Sequence, residues 1–540
     1  MGVRRAVVDR GMGEAVKLEP VKKQGTSGEK FLSPEPEVRL TKAFPKAFRN
    51  AVAAAQTCYS SKGIVDDDGV TPRYADLARE IYQAGHHTVF QHAHFQFALS
   101  GISRHFIWSF LHAHPFYNSE QVSQRYVEVK AGSAVIPPLA GPALQRYMET
   151  VSYQTEAYRQ MTDLLVPVVD AEFAKRFPRR RKGFEKDVRK KAMELARYVL
   201  PVATTACLYH TVSGITLLRY HRLCISYDAP LEQRIVVEKM AAAVLAVEPD
   251  YIQVLQEPLT LEETPEYQFF SSRPEWAGAE TRRAFLREFD DSLDGWTSKL
   301  VDIKSGNEAV LARAVREVLG VPRAALSNEE AIRLALDPSL NRLQGETLNL
   351  SSVSKLSRTL VHPAYTFRKK ISLTADSQDQ RHRMTPASRP VLAAHLTADP
   401  DVVTPDLIRA DDQTARLYDE TMAVTWESIN ALRREGVPDE FVLYLLPNAT
   451  AVRYAESADL MGLRHKHAMR LCWNAQEEIW RATLDEALQV REANPLIGKY
   501  LLPPCALREM AGARPICPEG ARYCGVKVWK LGLHEYERRI

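Results

Sequence analysis

One stretch of this chain repeats itself at constant spacing. YVLPVATTACLYHTVSGITLLRYHRLCISYDAPLEQRI, from Tyr198, aligns without gaps on YLLPNATAVRYAESADLMGLRHKHAMRLCWNAQEEIW, from Tyr444. At the offset of 246 residues set by these two tyrosines, the identities are Tyr198/Tyr444, Leu200/Leu446, Pro201/Pro447, Ala203/Ala449, Thr204/Thr450, Leu217/Leu463, His221/His467, Ala229/Ala475 and Glu232/Glu478. Upstream, QHAHFQF from Gln91 matches VHPAYTF from Val361, pairing His92 with His362 and Phe97 with Phe367. A repeat of this period means one folding unit used twice, each copy burying a face against the other or against a core of its own. The expected organisation is a flexible tail over 1–32, a first domain over 33–256, a connector over 257–305, a second domain over 306–494 and a Cys-, Pro- and Gly-rich extension over 495–540.

Each copy reads as helix-rich α+β, a small sheet with a helical bundle. Val38–Leu40 has strand character. Phe90–Leu99 alternates, with His92, His94 and Gln96 on one side and Ala93, Phe95 and Phe97 on the other. Helical spacing marks 48–58, 74–84, 142–169, 187–208, 214–223 and 231–247 in the first copy. In the second it marks 308–319, 328–336, 404–435, 439–446, 455–471 and 475–493, with an irregular end from Pro495.

The composition is that of a soluble globular protein, 45% hydrophobic and 26% charged. A net charge of +4 is too near neutral to imply a nucleic-acid partner on charge alone, and none is expected. The run Lys175–Lys191 is either a solvated basic face or a positive rim for anionic ligands. No apolar run reaches membrane-spanning length, and the N-terminus has no signal-type apolar core, so no membrane partner is expected. Seven cysteines without such a signal predict a reducing, cytoplasmic setting. Cys505, Cys517 and Cys524 fall in a Pro- and Gly-rich stretch where a metal could replace a core, with His534 as a fourth ligand; ordinary thiols are the alternative. His112 and His114 are either buried histidines or remnants of a site. His465, Lys466 and His467 either line a pocket or form a basic helix face.

Several ordered motifs resemble those of the flavin-dependent thymidylate synthases. HTVFQH, His87–His92, is similar to that family's His-x-x-x-Glu-His, and SQRY, Ser123–Tyr126, to its Ser-x-Arg-Tyr loop. ARYVLP, Ala196–Pro201, is a third match. In the second copy, QDQRHR, Gln378–Arg383, resembles the Gln-x-x-Arg-His-Arg signature. RLCWNAQEEI, Arg470–Ile479, resembles the helix that brings an arginine to the pyrimidine ring. The resemblance implies two tandem domains of that fold. It implies FAD as cofactor, with His87, His92, Arg381, His382 and Arg383 beside it, and NADPH and methylenetetrahydrofolate as co-substrates.

The two copies have lost complementary parts. Gln121, Ser123, Gln124, Arg125 and Arg197 survive only in the first, whereas Gln378, Arg381 and Arg470 survive only in the second. The second copy's phosphate loop shrinks to Ser388 and Arg389, and Leu443 stands opposite Arg197; Cys224 stands opposite Arg470. The family's Asn-x-Arg flavin contact falls on Ser213 and Ile215, and on Asp459 and Met461. Because the family builds each nucleotide site across a subunit interface, the resemblance implies one composite deoxyuridylate site per chain. Fork donors and a hydroxyl would hold its phosphate, and Arg470 would act catalytically by stabilising the uracil anion. It further implies a homodimer that mimics the family's tetramer. A non-catalytic nucleotide-binding relative and a flavin enzyme acting on uridine in another nucleotide or in nucleic acid are the alternatives.

Overall fold

A computed structural model describes residues 30–70, 73–112, 116–177, 183–225, 228–346 and 354–540. Each copy contributes a four-stranded antiparallel sheet. β1 (Glu37–Ala43), β2 (His94–Ser103), β3 (Tyr117–Gln121) and β4 (Thr205–Ser213) are ordered β1-β2-β4-β3. β5 (Ser298–Ile303), β6 (Ala364–Ser372), β7 (Ala387–Ser388) and β8 (Ala451–Asp459) repeat that order as β5-β6-β8-β7. In β2 the expected alternation holds: Phe95, Phe97 and Leu99 are buried while His94 is exposed.

The helices fall near the positions read from their spacing, with informative differences. The helix expected over 187–208 stops at Ala196, and the chain enters β4 at Thr205. The one expected over 455–471 begins only at Leu460, because its first part is the central strand β8, hydrogen-bonded on both edges. Burial alternates along 455–458, but the inward residue Glu456 is charged and the outward Ala455 is apolar, so hydropathy does not follow the strand period. β5 lies inside the expected connector and is the edge strand of the second sheet. Phe31, expected in the tail, is buried with its ring 6.0 Å from that of Tyr444. The end from Pro495 carries short helices at Pro495–Gly498 and Pro504–Met510.

The long helix Gly141–Arg176 leaves its own sheet and packs beside Asp412–Arg434 of the second copy, where Thr150 donates to Ser428 Oγ at 2.8 Å and Gln154 to the Leu445 carbonyl at 2.9 Å. Its apolar face, with Tyr147, Val151, Tyr158 and Met161, belongs to a core continuous with that of the second copy. The halves also meet about a pseudo-twofold. Val202 N–H donates to Leu446 O at 2.8 Å and Ala203 N–H to Tyr444 O at 2.9 Å; Asn448 N–H donates to Leu200 O at 2.8 Å and Ala449 N–H to Tyr198 O at 2.9 Å. Each bond of the second pair is its counterpart in the first, shifted by the repeat offset.

Candidate functional site

The second copy differs from the first in what it buries. Lys369, Asp379, Glu456, Lys466 and Glu486 are fully buried together, with Lys369 Nζ 3.0 Å from Asp379, 2.9 Å from Glu456 and 2.8 Å from Glu486. Lys466 reaches Asp379 at 3.3 Å, and His467 meets Glu486 at 3.0 Å. The equivalent positions of the first copy hold Leu99, Phe110, His210, Tyr220 and Met240, all buried. This ion cluster ties the helix Leu373–Asp379 to the helix Leu460–Arg470. Lys466 and His467 are therefore interior groups, neither pocket lining nor a basic face.

Those two helices carry the second copy's motif residues. Arg470 Nε donates to His382 Nε2 at 2.7 Å and its Nη2 to the Gln378 carbonyl at 2.8 Å. A side chain at Gly462 would stand 2.6 Å from the Met384 carbonyl, so glycine is what allows the turn after His382 to lie against the Arg470 helix. Burial, with Arg470 beside it, holds His382 neutral and well below the usual histidine range. Arg470 itself is pushed down to about 10 by burial; Asp379 opposes this, while the Arg125 and Arg381 guanidinia push the same way.

Arg125, from the first copy, reaches across the boundary. Its Nε donates to Glu194, and its Nη2 donates to the Asn474 carbonyl of the second copy at 2.9 Å. Burial would raise Glu194, but Arg125 and Lys191 outweigh it and keep the carboxylate ionised. Ser123 Oγ accepts from Arg125 N–H at 3.2 Å, shaping the loop. Arg197 follows the helix Phe184–Ala196, one turn beyond Glu194, and is buried. Gln378 is buried with Oε1 lacking a partner, its Nε2 3.4 Å from Gln476. Arg381 pairs with Glu120 at 2.7 and 2.8 Å, and Arg383 binds the Tyr117 carbonyl and, at 3.3 Å, Asn118.

Arg125 and Arg470 line one cavity of about 740 Å³, walled by both copies and by the extension. Tyr126, Phe173, Phe177, Trp473 and Tyr523 supply aromatic surface, and Arg176, Lys190 and Arg522 supply charge at its margins. The basic run thus borders the cavity, though 178–182 lie outside the described residues. Sequence reading missed Glu194, Asn474 and the extension as parts of this site, whereas Lys191 closes the basic run read as a solvated face or a positive rim. Only the three-residue step from Glu194 to Arg197, in a segment read as one helix, hinted at the first.

Other expected residues lie elsewhere. His87 Nε2–H donates to the Tyr82 carbonyl, 3.0 Å away, and its ring lies tilted against the Tyr82 ring; His92 is exposed, and neither lines the cavity. Arg389 is drawn onto Asp376 at 2.9 Å, so the second copy's phosphate-loop arginine is neutralised within its own half. Trp108 donates to the same carboxylate at 2.7 Å. Burial keeps His112 neutral, at about 3; His114 lies outside the described residues. Cys505, Cys517 and Cys524 line a small cavity with Cys472, but among the described residues no group of three or more His, Cys, Asp or Glu side chains could hold a metal ion. Burial raises the Cys472 and Cys505 thiols to about 12, so they pack as protonated, apolar groups. Among the described residues no helix is long and apolar enough to cross a membrane.

Comparison with known proteins shows the family. The family model described as thymidylate synthase complementing protein matches residues 39–250 and again 299–496. The chain belongs to that family. Its domain occurs here twice in tandem, and the extension lies beyond both matches. A flavin-dependent thymidylate synthase of Clostridium tetani is 27% identical over 221 residues, 40% of this chain and 84% of that protein. Its namesake from Sulfurisphaera tokodaii is 30% identical over 158 residues, 28% of this chain and 59% of that protein. Among solved structures, a UMP/dUMP methylase from Streptomyces cacaoi bound with 5-Br dUMP aligns at 18% identity and TM-score 0.30, over 41% of this chain and 98% of that one.

Proposed function

We propose that the chain transfers a one-carbon unit reductively to C5 of deoxyuridylate at one composite site, with methylenetetrahydrofolate as carbon donor and NADPH as reductant. The observation that carries this reading is the convergence of Arg125 and Arg470, 345 positions apart, on one cavity. Arg125 would hold the phosphate end from the cavity wall; Ser123, Gln378 and Arg381 do not line that cavity, and Gln121, Gln124 and Arg197 line a smaller one. Arg470 faces the ring, its guanidinium fixed by His382 and by the Gln378 carbonyl. A cation so placed stabilises negative charge developing on the uracil without a cysteine nucleophile.

The flavin named in the relatives suits part of this donor set. Arg381 is paired with the exposed carboxylate of Glu120, a surface contact of about 0–1 kcal/mol that a pyrophosphate can displace. Arg381 and Arg383 would hold those phosphates. When bound, a reduced flavin supplies hydride to the pyrimidine. The equivalents of the family's flavin-contacting arginine are the buried Ile215 and the half-buried Met461, and Asp459 is used to cap its helix at Gly462 N–H, 2.7 Å away. That loss favours a second reading, nucleotide binding without turnover. Purified protein with a flavin spectrum that converts deoxyuridylate to thymidylate supports the first reading. Colourless protein that takes up no added FAD but binds deoxyuridylate supports the second. A homodimer in solution would reproduce four domains.

A further inference from the structure

Between the halves lies a second, smaller cavity of about 40 Å³, room for two or three waters or one tetrahedral anion. Arg104, Gln121, Gln124 and Arg197 line it from the first copy, and Thr374, Ser377, Gln380 and Asn448 from the second. None of the lining residues is acidic.

Its unsatisfied groups are nearly all donors. Arg197, 4% exposed, has Nε and Nη2 without partners, Arg104 has Nε without one, and Gln124, 6% exposed, has Nε2 without one. Gln124 Oε1 is already taken by Asn448 Nδ2 at 3.1 Å, which leaves the amide end as the free one. The only free acceptor among these side chains is Gln380 Oε1. Arg104 otherwise donates from Nη1 to Gln121 Oε1 at 2.8 Å and from Nη2 to the Val122 carbonyl. Burial lowers Arg104 to about 10, and Arg197 beside it pushes the same way. Glu194 and Glu478 offset part of the Arg197 charge, but neither lines the cavity, and two neighbouring guanidinia facing it are costly unless an anion joins them.

The repeat sharpens the point. Ser103 and Ser372 are equivalent, so Arg104 corresponds to Leu373; Arg197 corresponds to Leu443. Both cations are confined to the first copy, and leucine satisfies the fold at both equivalent places.

We infer that this cavity is an anion subsite in which Arg104 and Arg197 together hold a phosphate group, with Arg104 a binding residue outside the Ser-x-Arg and ARxxLP motifs. The phosphate is either the nucleotide's own or a free inorganic one. The first form rests on the nucleotide reading above; the second does not.

Arg104→Leu copies the second half's residue, so the variant is expected to fold. Titration with inorganic phosphate and with deoxyuridylate, read by calorimetry and by the fluorescence of Trp108 on the cavity wall, separates the cases. Binding of phosphate by the wild type, weakened tenfold or more in Arg104→Leu and retained in Arg470→Ala, establishes a free-anion subsite. Binding of deoxyuridylate only, weakened to the same degree in Arg104→Leu, establishes the nucleotide's phosphate. Wild-type deoxyuridylate binding that Arg104→Leu leaves unchanged, with no phosphate binding that the substitution weakens, overturns the subsite and spares the nucleotide reading; no binding of either probe overturns both. In anion-free buffer Arg104→Leu should melt at or above the wild-type temperature and lose any rise that phosphate gives the wild type.

Discussion

The Tyr444 hydroxyl donates to Glu232 Oε2 at 2.7 Å, a bond from the second copy into the core of the first. Its counterpart runs the other way, from Tyr198 to Glu478. Each carboxylate also accepts from a serine at the end of a strand: Glu232 from Ser103 N–H at 2.7 Å and Oγ at 2.6 Å, Glu478 from Ser372 N–H and Oγ, both at 2.6 Å. The repeat is therefore a mutual clamp, each half completing a buried polar network of the other. Tyr198→Phe and Tyr444→Phe should each cost about 1–3 kcal/mol, because each leaves a buried carboxylate short of one donor. Chemical denaturation of both variants checks this, and a silent Tyr444→Phe would show the two clamps to be unequal.

Arg125→Ala and Arg470→Ala should each abolish deoxyuridylate binding in calorimetry while leaving the fold intact. Neither residue belongs to the apolar core, and each holds only one side of the cavity. Retention of binding in either variant separates the halves into independent sites.

Lys369→Met should destabilise by about 3–5 kcal/mol, since it removes the cation that three buried carboxylates share. The loss should appear as a lower melting temperature. In whatever protein remains folded it should also appear as weaker ligand binding, because the helices bearing Gln378 and Arg470 are anchored there.

Asp228 gives a pH dependence. Its Oδ1 accepts from Leu392 N–H of the second copy at 2.8 Å, and burial raises its carboxyl from 3.8 to about 7. The folded state then binds a proton that the unfolded state has released, so stability falls as pH rises from about 4 to about 7 and levels off above. The span corresponds to at most about 4 kcal/mol. Asp228→Asn keeps the acceptor and should flatten the profile; an equally steep profile in that variant would assign the proton to another group.

The sequence by itself determined the duplication, the offset that pairs Tyr198 with Tyr444, and the division of motifs between unequal copies. These are local facts: each motif lies within a dozen residues, and a constant offset needs no three-dimensional knowledge. Amphipathic helices such as 308–319 and the alternating β2 were legible for the same reason, since one face meets water and leaves a period. β8 was not, because its inward Glu456 is charged and its outward Ala455 apolar, so the burial period leaves no hydropathy period. Nor was the interior charge of Lys369 and Lys466, which reads as surface until its carboxylate partners arrive from three separate elements. Only the tertiary structure could show that Arg125 spans from Glu194 to Asn474, that Arg389 is spent on Asp376, and that Arg104 faces Arg197. Such pairings join residues tens to hundreds of positions apart, and they are decided by how the two halves dock.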